Sequence, residues 1–229
     1  MARLCSQAKQ SVTSSGDSSS QPSNRRRSSL VLSSIFTKPV SANHVADSQK
    51  ELIQNSWIEI LQRKPLDRLG LAIFCRIFQH EPRLKSVFHA DDEELLERQA
   101  RVFASVLDLC VRNIFAQETE TAPMLVCYGR RHFHKADRGF DAAYFGVFTH
   151  SVLQCVADEA IHCASVPDGE TLSELSSSWS ALLNWLVGKM MEGVQLEAAE
   201  HANRRRKSSA SRFVNVARYR PKKKGSSAI

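Results

Sequence analysis

His132 sits in the run Tyr128-Gly129-Arg130-Arg131-His132-Phe133. Upstream lies a stretch that closes on a phenylalanine, Phe74-Cys75-Arg76-Ile77-Phe78-Gln79-His80-Glu81-Pro82-Arg83-Leu84-Lys85-Ser86-Val87-Phe88. A neutral imidazole is a metal ligand, and an aromatic ring supplies a flat apolar wall. In this order, between amphipathic helices, the two suggest a flat metal cofactor with His132 as its axial ligand. Taken alone, His132 beside Arg130 and Arg131 reads as a surface histidine. His134 is the rival ligand. It lies two residues on and points to a different side of a helix, so only one of the two can face a shared centre.

The elements that must position these residues all read as helices. Ser48-Gln49-Lys50-Glu51 has the form of a capping box and predicts a helix to about Gln62, with Leu52, Trp57 and Ile60 among its apolar positions. Pro65 suits the first turn of a second helix, which places Leu71, Phe74, Cys75 and Phe78 on one face. Pro82 ends that helix and starts a short helical turn to Phe88. Asp91-Asp92-Glu93-Glu94 puts negative charge where a helix N-terminus favours it. The helix it opens carries Leu96, Gln99, Phe103, Val106 and Cys110 on one side. Thr121-Ala122-Pro123 begins the short helix that holds His132. Residues from about Phe140 to Cys163 read as a long apolar helix. Thr171-Leu172-Ser173-Glu174 is a second capping box, followed by Trp179, Leu182, Leu183, Leu186 and Met190. With no internal repeat and no strand alternation of useful length, the fold class is all-α, with about six or seven helices.

Composition agrees. The chain has 229 residues, 42% of them hydrophobic, with only 9 Gly and 7 Pro, which argues against a turn-rich β architecture. Its net charge of +7 divides into +5 over residues 1–46, −8 over 47–200 and +10 over 201–229. An acidic domain over 47–200 is thus expected between a Ser/Arg-rich tail over 1–46 and a basic tail over 201–229, both too polar to offset their ordering entropy and so expected to be disordered. The six cysteines form no CxxC, and five lie in apolar helical patterns, the usage of reduced thiols; no paired ligands have zinc spacing. No signal peptide or membrane span is read, and Ala2 excludes N-myristoylation. The expected location is intracellular and cytoplasmic, with a membrane-peripheral or nuclear one as alternatives.

Over roughly residues 47–197 the chain resembles a globin. The residues that carry the resemblance are Trp57 in the first helix, Phe78 four residues before Pro82, Phe88 six residues after it, His132 in a Leu-Gly-x-x-His-like setting, and Trp179 in the last helix. The closest flavour is that of neuroglobin-like and nematode globins, which often carry terminal extensions. The resemblance implies a globin fold around haem b (iron protoporphyrin IX), with His132 as the proximal ligand to iron and Phe88 packed flat on the porphyrin. Counting along the distal helix against such sequences, Asp108 finds a match and puts Gln99 in the distal position. Phe103 would then face the haem one turn later, and Phe74 would face it from the second helix. A glutamine amide donates a hydrogen bond to a polarised diatomic ligand but is a poor iron ligand, so the ferrous state is expected to keep an open sixth position. Two departures stand out. The interval from Phe88 to Gln99 is shorter than in most globins, and Tyr128 replaces the usual leucine one turn before the proximal histidine. Tyr128 reads as a haem-edge, redox-active or half-exposed packing residue.

The implied function is reversible binding of O2 or another diatomic gas, in a sensing or regulatory setting, with no residue assigned to catalysis. Two other readings stand beside it: a redox or electron-transfer haem protein with weak enzyme activity, and a haem-less globin-fold interaction module. Arg25-Arg26-Arg27-Ser28-Ser29 and Arg204-Arg205-Arg206-Lys207-Ser208-Ser209 share a form that suits basophilic kinases at Ser28, Ser29, Ser208 and Ser209. The same clusters suit an anionic membrane surface. Nucleic acid is not expected as a partner. Cys5 is a weak palmitoylation candidate.

Overall fold

The computed structural model describes residues 45–218, with side chains described to Lys207. Among the described residues there are seven α-helices and no strand: α1 (Asp47–Arg63), α2 (Leu66–His80), α3 (Leu84–Val87), α4 (Glu93–Arg112), α5 (Ala122–Phe133), α6 (Tyr144–Ala160) and α7 (Gly169–Arg218). The all-α expectation holds. Short turns of 3-10 and π type over 114–121 join α4 to α5.

One apolar core links all seven elements, with Trp57, Ile60, Ile73, Leu125, Leu175 and Trp179 almost fully buried. Trp57 and Trp179 stack with ring centroids 5.3 Å apart, and the Trp57 Nε1–H donates to Asp108 Oδ1 at 3.0 Å. The first helix, the last helix and α4 therefore meet at one satisfied indole.

Helix starts differ in detail from expectation. At α1 the cap lies two residues earlier than the predicted Ser48 box: the Ala46 N–H donates to the Gln49 side chain at 3.0 Å. At α7 Asp168, not Thr171, caps the helix, accepting from the Thr171 N–H at 2.8 Å. A carboxylate one turn upstream competes better for the open amides than a hydroxyl inside the helix. The acidic start of α4 is as read, with the Asp92 side chain accepting from the Leu95 N–H. The apolar stretch expected to be helical from 140 to 163 is helical only from Tyr144 to Ala160; residues 136–143 form a tight connection around Gly139, whose φ is +87°.

The last helix corrects the expected boundary near 200. It runs on through the stretch read as a disordered tail from 201, to Arg218. Part of the reason is local: Arg204 pairs with Glu197 at 2.6 Å, two turns back, and with Glu200 at 3.9 Å, one turn back. The clusters at 25–27 and 218–224, Cys5, and the serines at 28, 29, 208 and 209 lie outside the residues whose side chains are described.

Candidate functional site

Two close helix crossings build the site. On α2, a Cβ added at Gly70 would lie 2.5 Å from the Ala100 carbonyl oxygen of α4 and 3.1 Å from the Ala104 methyl. Only a glycine allows that approach, and it pins the register of α4 beside Gln99. The second crossing uses a glycine from each helix. A Cβ at Gly129 of α5 would lie 1.9 Å from the Met190 oxygen, and one at Gly193 of α7 would lie 2.0 Å from the Val126 oxygen. One helical turn past Gly129 stands His132.

Between these crossings lies a cavity of about 150 Å³ with an almost wholly apolar lining. It gathers Phe88 from the end of α3, Gln99 and Phe103 from α4, and Tyr128 and His132 from α5. Five of the six residues singled out in the sequence thus share one wall system. The sixth, Phe74, is not a lining residue. It is 2% exposed and sits behind the lining, edge-on to Phe88, Phe103 and Phe148 at 5.3, 5.8 and 6.2 Å. Its place is under the wall, because α2 lies behind α4 and α6 there.

His132 is half-buried, with its ring between Phe140 and Phe145 at centroid distances of 5.1 and 5.6 Å. Its Nδ1 lies 2.8 Å from the Tyr128 carbonyl oxygen. A carbonyl only accepts, so Nδ1 carries the proton and Nε2 keeps its lone pair. Burial holds the imidazole below its ordinary pKa; the Tyr128 carbonyl opposes this, and the Lys135 charge adds to it. The group is a neutral, oriented donor. His134, the rival, is 60% exposed with its Nε2 3.3 Å from Glu197, and it is not among the cavity residues.

Across the cavity, the Gln99 side-chain amide donates to the Phe88 carbonyl at 3.3 Å. The short connection before α4 is possible because His89 adopts a left-handed φ of +49°, which turns the chain from α3 into α4 within a few residues. Val102, half exposed, stands at the cavity edge on the same helix. Lys135 lies over the Phe88 ring at 5.9 Å, and burial pushes its ammonium below the ordinary lysine range, helped by Arg138.

Sequence reasoning missed the α6 and α7 walls. Phe148 touches Phe74, Phe88 and Phe103 and joins α6 to the aromatic cluster. Phe145, Val187 and Phe140 were legible only as apolar residues, with nothing in their spacing to say which face they serve. Among the described residues no group of three or more His, Cys, Asp or Glu could hold a metal ion. A family model described as Globin matches residues 71–190. No curated protein matches the chain.

Proposed function

The chain belongs to the globin family, and from that premise we propose that it holds haem b on His132 and reversibly binds O2 or another diatomic gas. The observation that carries this is the His132 imidazole, fixed through Nδ1 to the Tyr128 carbonyl with Nε2 as its only lone pair, in an apolar cavity. That is the donor a haem iron takes on its proximal side. The cavity is smaller than a macrocycle, so to take one up Phe103, Phe148, Leu186 and Met190, which line it, would have to change rotamer.

When bound, haem supplies an iron with one open coordination position. The protein's own groups do the rest. Phe88 offers a flat aromatic wall. Gln99 has two amide N–H groups; one is held by the Phe88 carbonyl, and the other serves a polarised diatomic ligand. Phe103 and Val106 keep this face dry and narrow. The basic clusters at 25–27 and 204–207 favour a sensing or regulatory role over bulk carriage.

An absorbance spectrum of the haem-reconstituted protein, reduced and then exposed to oxygen, tests the reading. A Soret band with a five-coordinate ferrous form and a stable oxygenated form is expected. The absence of a Soret band would overturn haem binding. A six-coordinate ferrous spectrum without added ligand would overturn the role of Gln99.

A further inference from the structure

A second recess lies on the opposite side of α7 from the cavity. It has a volume of about 720 Å³ and runs between the start of α1, the turns over 114–121 and the outer face of α7. Phe115 is 52% exposed on its edge, although a phenylalanine is ordinarily turned inward. Its floor opens at Gly188, where an added Cβ would meet nothing within 4 Å. One wall is set firmly: Glu118 accepts from the Trp185 indole at 2.7 Å and pairs with Lys189 at 2.8 Å. Gln117 and Asn184 also line the recess and carry amides that can meet a peptide backbone. An aromatic edge, an open floor and flanking amides suit an extended peptide.

The occupant is indicated by where the described chain starts. Val45, its first residue, is 6% exposed and is itself part of the recess wall. The 44 residues ahead of it contain one concentrated apolar run, Leu30-Val31-Leu32-Ser33-Ser34-Ile35-Phe36, followed by Lys38 and Val40. Eight residues lie between Phe36 and Val45, and the nine steps span about 30 Å when extended. That length lets Phe36 reach any part of the recess.

We propose that the segment Leu30–Val40 of this chain docks in the recess between the start of α1 and α7, with Ile35 and Phe36 as its apolar anchors beside Phe115 and Trp185. The docking goes beyond the haem reading and does not depend on it, because the recess shares none of its lining with the cavity.

Hydrogen exchange on the full chain, without haem, tests it. Replacing both anchors, Ile35→Ser with Phe36→Ser, removes apolar burial and should speed amide exchange over 114–121 and 181–192 by about tenfold. Unchanged exchange in both stretches would overturn the proposal. A photoreactive benzoylphenylalanine in place of Phe36 gives an independent readout. Adducts within one chain onto 114–119 or 181–192 are expected. Adducts only between two chains would assign the recess to a second copy, and adducts elsewhere in the chain would place the segment on another surface; either overturns the proposal.

Discussion

The two faces of the cavity are built to different standards. On the His132 side, α5 and α7 cross with a glycine from each helix against the other's backbone. A few residues on, Glu197 gathers Arg130 at 3.3 Å, Arg204 at 2.6 Å and His134 at 3.3 Å around one carboxylate that is 7% exposed. On the Gln99 side, one glycine, Gly70, sets the helix crossing, but a single 3.3 Å hydrogen bond to the Phe88 carbonyl holds the Gln99 side chain, and the half-exposed Val102 of the same helix stands at the cavity edge. A ligand that must stay calls for over-determined geometry. A surface where a small molecule enters and leaves calls for weak restraint. The asymmetry suits the proposed haem bond on one face and the proposed ligand exchange on the other.

The largest test of that contrast is Gly129→Val. Its branched side chain has no room against the Met190 backbone, and the variant should lose at least about 3 kcal/mol of stability in chemical denaturation, by overpacking at an interface that cannot yield. A variant that melts like the parent would mean that the crossing is not tight in solution. Next comes His132→Ala, which should keep the helical far-ultraviolet spectrum and lose haem retention; normal retention would move the ligand to another residue. Glu197→Gln should show in pH dependence. The Arg204 hydrogen bond holds the Glu197 carboxyl below its ordinary 4.5, with a smaller opposing effect of burial and further lowering from the charges of Arg204, His134 and Arg130. Stability from a lowered carboxyl is present above the unfolded value and lost as pH falls through the folded one. The parent should therefore lose stability below about pH 4.5, and the variant should lack that part of the acid transition in a pH series of thermal melts. The smallest effect on the fold belongs to Gln99→Ala, about 1 kcal/mol or less. Its signature is kinetic: a roughly tenfold faster diatomic off-rate in stopped-flow, the loss of one donor hydrogen bond. A larger stability loss at Gln99 than at Glu197 would reverse the contrast.

Much of the fold was legible because a few types carry position. Trp57, Pro82, Phe88, His132 and Trp179 mark fixed points along a helical chain, and five of the six residues chosen for the site line one cavity. Phe74 lies one layer behind that lining. Helical spacing tells which residues share a face but not how deep that face lies, and here α4 and α6 stand in front of it. Phe148 was missed for a related reason: a helix as apolar as α6 shows no distinct stripe, so its cavity face is settled only by its neighbours. The run of α7 past residue 200 was hidden by its basic composition, although Glu197, Glu200 and Arg204 already had the spacing of same-face ion pairs. Neither glycine of the α5–α7 crossing announced itself, since the partner backbone that requires each one comes from a helix more than fifty residues away.

That crossing also has a mechanical consequence. A helix pressed backbone to backbone at one point can neither slide nor roll there, but it can rock. Gly129 then acts as a fulcrum for α5, with His132 a short arm of about 4.5 Å along the axis on one side. A tilt of the last helix beyond Gly193 would then reach the imidazole as a small change of angle and not as a translation, because the arm is short. Pulls on the basic end of α7 would thus trim the aim of His132 without taking it from its place.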